Sequence, residues 1–212
     1  MAKVKVKICG ITNWRDARLA CAEGASFLGF NFYERSPRYI APGRARRIVR
    51  RLPNGVAAVG VFVNEDETRL LQIAHIVGLD YAQLHGEESV AEIGRLSKAL
   101  PVIRAVRVRG TFRPTALGRY KRAAAILLDG FDPRLRGGTG KAINWDFARR
   151  CSSRARIFLA GGLTPENIGE AIRVAKPYAV DVCSGVEAKP GKKDARKLKK
   201  LMREVRAAGK RK

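Results

Sequence analysis

Cys9 and Asp129 each end an apolar, β-type run, at 4–9 and 124–129. A thiol acts as a base once nearby positive charge lowers its pKa, and a carboxyl acts as an acid where a desolvating site keeps its proton. The two residue types therefore suit general acid–base chemistry. Each also has a plain structural use. A lone Cys at a strand end can be a small buried hydrophobe, and a strand-ending Asp can cap a turn. Two other strand ends carry small residues suited to an anion: Gly161-Gly162 after 156–160, and Ser184-Gly185 after 178–183. Glycines let backbone N–H groups approach a phosphate with no Cβ in the way. A short helix N-terminus after Ser184 would add its positive dipole end. Residue types alone give an acid–base enzyme for a small phosphorylated ligand, with the reaction left open.

These residues need a scaffold that brings strand ends together. Short β-rich runs fall at 4–9, 27–32, 56–63, 81–84, 102–108, 124–129, 156–160 and 178–183. Helical patterns lie between them. The first is capped by Asn13 and runs to Glu23; others span 45–51, 67–77, 88–99 and 145–150. Thr164 caps a further helix, with Pro165 in its first position, running to Val174; the last spans 193–207. The weakest is 114–120, because Pro114 and Gly118 bracket it. Eight βα units without a linker predict a single closed (β/α)8 barrel over 1–212, with Gly209-Lys210-Arg211-Lys212 a disordered basic tail. An open doubly wound sheet is the alternative, without GxGxxG after the first run. In the barrel, active-site residues sit at the C-terminal ends of the strands.

Composition narrows the partners. Lys plus Arg is 43 against 19 Asp plus Glu, a net charge of +24. The basic clusters at 44–51, 149–150 and 192–200 fall on different helices. The last has Ala195, Leu198, Leu201, Met202 and Val205 on one face, and so reads as solvated helix surface. Aromatic residues are only 7% of the chain, and the clusters lack the stacking rings of a nucleic-acid groove. No specific nucleic-acid partner is expected. No apolar run reaches the roughly 18 residues of a membrane span, and the first residues alternate Lys with Val, without a signal-peptide core. Cys9, Cys21, Cys151 and Cys183 form no CxxC pair, and there are two histidines, so no metal site is expected. The expectation is a cytoplasmic protein with reduced thiols, a monomer or homodimer.

Eight short segments, in order at successive strand ends, resemble the phosphoribosylanthranilate isomerases of tryptophan biosynthesis. They are Lys7-Ile8-Cys9-Gly10-Ile11-Thr12, Ser36-Pro37-Arg38-Tyr39-Ile40, Gly60-Val61-Phe62-Val63-Asn64, Gln83-Leu84-His85-Gly86, Leu127-Leu128-Asp129, Gly137-Gly138-Thr139-Gly140-Lys141, Leu159-Ala160-Gly161-Gly162-Leu163 and Ser184-Gly185-Val186-Glu187. The resemblance implies an Amadori rearrangement of N-(5-phosphoribosyl)anthranilate to 1-(2-carboxyphenylamino)-1-deoxyribulose 5-phosphate, without a cofactor. It implies Asp129 as the acid that protonates the furanose oxygen and Cys9 as the base at C2′. Arg38 would hold the anthranilate carboxylate, and Gly161, Gly162, Ser184 and Gly185 the phosphate. Gln83, His85 and Asp181 are expected to bind substrate. Cys183, Gly130, Ala142 and Ile143 depart from the family's usual Ser, Thr, Thr and Phe. A related aminoaldose isomerase of histidine biosynthesis would carry a carboxylate at position 9, and a Schiff-base lyase would use Lys7 or Lys141.

Parity adds one contact. Side chains alternate along a strand, so an inward Cys9 makes Lys7 inward too. A buried ammonium requires a partner. Asp181 is the only acid on the eighth run, which neighbours the first in a closed barrel. Lys7 and Asp181 are therefore expected to pair, with Lys7 favouring the Cys9 thiolate.

Overall fold

Alternating strand side chains build two separate cores, one inside a barrel and one around it. The computed structural model describes residues 4–108, 112–130 and 144–210. Eight parallel strands close on themselves in chain order: β1 (Lys5–Ile8), β2 (Phe27–Asn31), β3 (Ala57–Phe62), β4 (Tyr81–Leu84), β5 (Val102–Val108), β6 (Ala125–Gly130), β7 (Ile157–Leu159) and β8 (Ala179–Val182). Closure comes from β1 against β8, with Lys7 opposite Asp181 and Ile8 opposite Val182. It settles the architecture as the barrel rather than the open sheet.

Outward residues such as Ile8, Leu28, Leu84 and Leu128 pack under the helices. Inward residues Phe27, Val59, Ile103, Leu127 and Phe158 form the inner core. Phe27 meets the edges of Phe158 and Tyr81, with centroids 5.1 and 5.8 Å apart. Burial on both faces explains why the strands read as nearly unbroken apolar runs. Further along the same inward faces stand Lys7, Gln83, Asp129 and Asp181, so the barrel interior is apolar below and polar at its C-terminal rim.

Helices α1 (Trp14–Ala22), α2 (Pro42–Val49), α3 (Glu67–Val77), α4 (Val90–Leu96), α5 (Trp145–Ser152), α6 (Ile168–Ala175) and α7 (Ala195–Lys210) surround the barrel. Local signals fix several ends. The Asn13 side chain accepts from the Asp16 N–H, Asp66 caps α3, and Gly78 ends α3 in the left-handed region. The 114–120 segment is a 3-10 helix.

Four expectations shift. Glu88 stands outside α4, because its carboxylate accepts from the N–H groups of Asn64 and Gly86 and pairs with Arg104; Ser89 is the cap. Thr164 makes the expected cap bonds, its hydroxyl accepting from the Glu166 N–H and its carbonyl from the Ile168 N–H, but residues 165–167 are a turn and regular α6 starts only at Ile168. Asn167 bonds Thr164 N–H and Gly162 C=O through its side chain, holding a turn until Ile168. Residues 184–193 hold a 3-10 turn (Ser184–Val186) and a hairpin of β9 (Glu187–Lys189) and β10 (Lys192–Lys193), turning at Pro190-Gly191. Lys193 is thereby buried rather than on exposed helix, and Ala195 is exposed. Finally, α7 continues through Gly209 and Lys210; Arg211 and Lys212 lie outside the described residues.

Candidate active site

A cavity of about 350 Å³ opens at the C-terminal rim, and all ten residues singled out from the sequence line it: Cys9, Arg38, Gln83, His85, Asp129, Gly161, Gly162, Asp181, Ser184 and Gly185. Lys141, Ala142, Ile143 and the 137–141 glycine segment lie outside the described residues.

The Lys7 ammonium is fully buried and donates to Asp181 Oδ1 at 2.9 Å, as parity requires. Burial works against that ammonium, but Asp181 and then Cys9 outweigh it and hold Lys7 charged above its usual range. Burial pushes the Asp181 carboxyl up to about 6, against the pull of Lys7. A Schiff base needs a neutral amine, whereas the Lys7 ammonium is buried in an ion pair with Asp181. On β2, Gly29 makes room for the group. A Cβ there would lie 2.7 Å from Cys9 Sγ and 3.0 Å from Lys7 Nζ. Cys9 is held well below the usual thiol range, first by its contact with the Cys183 thiol, then by the charges of Lys7 and Lys193 against the cost of burial. Cys183 is raised by its contact with Cys9 and by burial, and its thiol is aligned on Glu187 Oε1 at 3.8 Å.

Asp129 ends the inward face of β6, three strands around the barrel from β1 by way of β7 and β8. His85 Nε2 lies 3.4 Å from its Oδ2 without hydrogen-bond alignment, and His85 Nδ1 is 3.0 Å from Gln83 Nε2. Arg107 donates to the His85 carbonyl, and Glu88 pins the adjoining turn. Buried Gln83 Oε1 and His85 Nε2 have no hydrogen-bond partner among the described residues.

Across the rim, the loops after β7 and β8 touch backbone to backbone. Gly161 has φ +86°, and a Cβ there would sit 2.5 Å from the Gly130 nitrogen and 3.1 Å from Asp129 Oδ1. The bare backbone of Gly185 packs against the Leu163 carbonyl. Gly161, Gly162, Ser184 and Gly185 thus form one small-residue wall. The helix after β8 is only a three-residue 3-10 turn.

Two residues escaped the sequence reading, Glu187 and Lys193. Glu187 receives Arg38 through Nε at 3.0 Å and Nη2 at 2.7 Å, and Lys193 through Nζ at 3.0 Å. Burial opposes the Glu187 carboxylate, but Arg38 and Lys193 hold it below the usual range. A signal was present. Pro190-Gly191 marks a turn, and Glu187 is the one acid between Asp181 and Asp194.

No cluster of three or more His, Cys, Asp and Glu among the described residues is placed to hold a metal. No described helix is long and apolar enough to cross a membrane.

Fold and rim together define a (β/α)8-barrel enzyme with its polar site at the C-terminal ends of the strands. The chain belongs to the N-(5'-phosphoribosyl)anthranilate isomerase family, whose model matches residues 6–204. It is 48% identical to N-(5'-phosphoribosyl)anthranilate isomerase of Citrifermentans bemidjiense over 202 residues, 95% of this chain and 97% of that one. It is 46% identical to the enzyme of Rubrobacter xylanophilus, over 93% of this chain and 97% of that one. The phosphoribosyl anthranilate isomerase structure of Thermotoga maritima superposes with a TM-score of 0.88 at 44% identity, covering 96% of this chain and 99% of that one. A further phosphoribosyl anthranilate isomerase structure, at TM-score 0.84 and 42% identity over 96% and 99% of the two chains, is a complex with reduced 1-(o-carboxyphenylamino)-1-deoxyribulose 5-phosphate. The protein is an isomerase of this family, in tryptophan biosynthesis.

Proposed function

We propose that Asp129 and Cys9 carry the family's Amadori rearrangement in this cavity as acid and base. Asp129 gives its proton to the furanose ring oxygen; the C1′–O bond breaks, and the anthranilate nitrogen's electrons form the iminium. The Cys9 thiolate removes the C2′ proton, and the C2′–H electrons move toward the iminium to give an enolamine. Its tautomer is the 2-keto product. In that tautomerisation C1′ takes up a proton and the 2′-hydroxyl releases one, which restores the protons that Asp129 gave and Cys9 took, so the scheme needs no cofactor. Arg38 grips the anthranilate carboxylate, a pairing for which the planar guanidinium is suited. Gly161, Gly162, Ser184 and Gly185 cradle the phosphate, and Gln83, His85 and Asp181 meet the ribose hydroxyls and reacting oxygens.

The observation that carries this reading is the placing of a thiolate-favoured Cys9 and of Asp129 on separate walls of one cavity beside the small-residue loops. The test follows substrate fluorescence with N-(5'-phosphoribosyl)anthranilate generated in situ. Substrate deuterated at C2′ should turn over more slowly than unlabelled substrate, and folded Cys9→Ala should leave the deuterium in place. Deuterium lost from that variant at the wild-type rate would overturn the role of Cys9.

The surroundings are proposed to be cytoplasmic, in keeping with four unpaired cysteines. The enzyme is a monomer or a homodimer; light scattering on the eluted protein decides between them. A Thermotoga maritima relative, 41% identical with a TM-score of 0.84, is described as dimeric. No specific nucleic-acid partner is proposed.

A further inference from the structure

Arg38 does not stand free at the cavity wall. Its Nε donates to both Glu187 oxygens, at 3.0 and 3.1 Å, and its Nη2 to Oε2 at 2.7 Å. This is a side-on pairing. Of the five guanidinium N–H groups it uses the Nε–H and one on Nη2. The other three, both on Nη1 and one on Nη2, meet no protein acceptor among the described residues. Two of them, one on each Nη, make up the end-on fork, which matches a second carboxylate.

Glu187 is itself held from below. Its side chain is 4% exposed and that of Lys193 is 0%, against 19% for Arg38. Oε1 also accepts from Lys193 Nζ at 3.0 Å and Gly191 N–H at 3.2 Å. Lys193 gives its other two N–H groups to the carbonyls of Cys9 and Cys183. A continuous polar chain therefore runs from Arg38 to the backbone that carries Cys9. Its charge is also informative. One carboxylate against two cations leaves a net +1, so Glu187 fixes Arg38 without cancelling its attraction for an anion.

We propose that Glu187 is a positioning residue of the reaction: it locks Arg38 side-on so that the end-on fork faces the substrate's aromatic carboxylate, and Lys193 ties Glu187 to the strand ends of β1 and β8. The proposal rests on the reading of Arg38 as the carboxylate clamp. An unfixed arginine would have to lose its rotamer freedom on binding, so pre-ordering it strengthens binding. The carboxylate takes no part in the bonds that change, so the contact serves ground state and transition state alike. Its loss should raise KM with kcat little changed.

The experiment is steady-state kinetics on wild type, Glu187→Gln, Arg38→Ala and the double variant, with anthranilate as a competitive inhibitor whose Ki reads carboxylate binding alone. Glu187→Gln should raise KM and the anthranilate Ki by about tenfold with kcat within about threefold. In the Arg38→Ala background the same change should move KM by less than about twofold, since residues acting through one another are not additive. Equal factors with and without Arg38, unchanged KM and Ki, or a loss confined to kcat would each overturn the proposal. If Arg38→Ala leaves KM and Ki unchanged, the clamp reading itself fails; an Arg38 effect that stands while Glu187→Gln has none rejects Glu187 alone. Should Glu187→Gln not fold, Glu187→Asp carries the test. It keeps the charge but draws the oxygens back by one methylene, so KM and Ki should rise severalfold, and wild-type values would overturn the proposal.

Discussion

In the proposed scheme Cys9 is made into a base by its neighbours rather than by its own chemistry: the Cys183 thiol beside it and the charges of Lys7 and Lys193 favour the thiolate. Two outcomes follow at this scale. Cys9→Ala and Asp129→Asn should each lower kcat by about 10²-fold or more, the usual scale for general acid–base groups, with circular dichroism unchanged. Near-wild-type turnover in either would remove its assigned role. The second concerns pH. A base must be deprotonated, so a lowered thiol pKa extends activity toward acid. Cys183→Ala removes the neighbouring thiol that favours the Cys9 thiolate and should move the acidic limb of kcat/KM to higher pH; an unmoved limb would show that Cys183 does not tune Cys9. The Lys7–Asp181 pair was legible in the sequence because it needs only the two-residue strand period and barrel closure. Glu187 and Lys193 were not, since their burial depends on how a hairpin folds back over Cys9.

Elements were legible where their ends are set locally. Helix α3 matches because Asp66 and Gly78 cap it from its own sequence, and β4 and β5 match because apolar runs stop at turn residues. Regular α6 starts later than its Thr164 cap implies, because the Asn167 side chain turns back to the Thr164 N–H and the Gly162 carbonyl and residues 165–167 stay a turn. The expected helix start at Lys193 falls on β10, because Lys192-Lys193 continues the basic pattern of α7 and only tertiary contact distinguishes buried Lys193 from its exposed neighbours. Junctions between elements also carry the small-residue wall proposed to hold the phosphate. Gly161 combines a positive φ with a 2.5 Å approach of its would-be Cβ to the Gly130 nitrogen. Gly161→Ala should therefore cost about 1–3 kcal/mol of stability and push β6 and the loop after β7 apart. Urea denaturation reads the first effect. A raised KM reads the second, because the N–H groups of the phosphate wall shift; a variant with wild-type stability and KM would show that the wall tolerates a side chain.

The whole molecule carries +24, and its basic groups are spread over several helices rather than gathered in one aromatic-lined groove. A field of one sign reaches well beyond contact and raises the local concentration of an anion around its cleft. The family's substrate carries a phosphate and a carboxylate, so the surface charge should assist its capture. Arg196 and Lys199 are exposed in the first turns of α7, which leaves the barrel at the cavity end after the hairpin. Neither side chain lines the cavity. Reversing both to Glu removes two charges at each site and takes the net from +24 to +20. At low ionic strength Arg196→Glu/Lys199→Glu should lower kcat/KM severalfold while leaving kcat unchanged, because capture weakens and the bound chemistry does not. Salt shortens the field to about 10 Å at 0.1 M and about 3 Å at 1 M. The wild-type kcat/KM should accordingly fall as NaCl rises, and the two proteins should converge in molar salt. A difference that persists undiminished in molar NaCl would place the effect in contact or folding rather than in the long-range field, and a kcat/KM indifferent to salt in both proteins would show that the basic surface takes no part in capturing substrate.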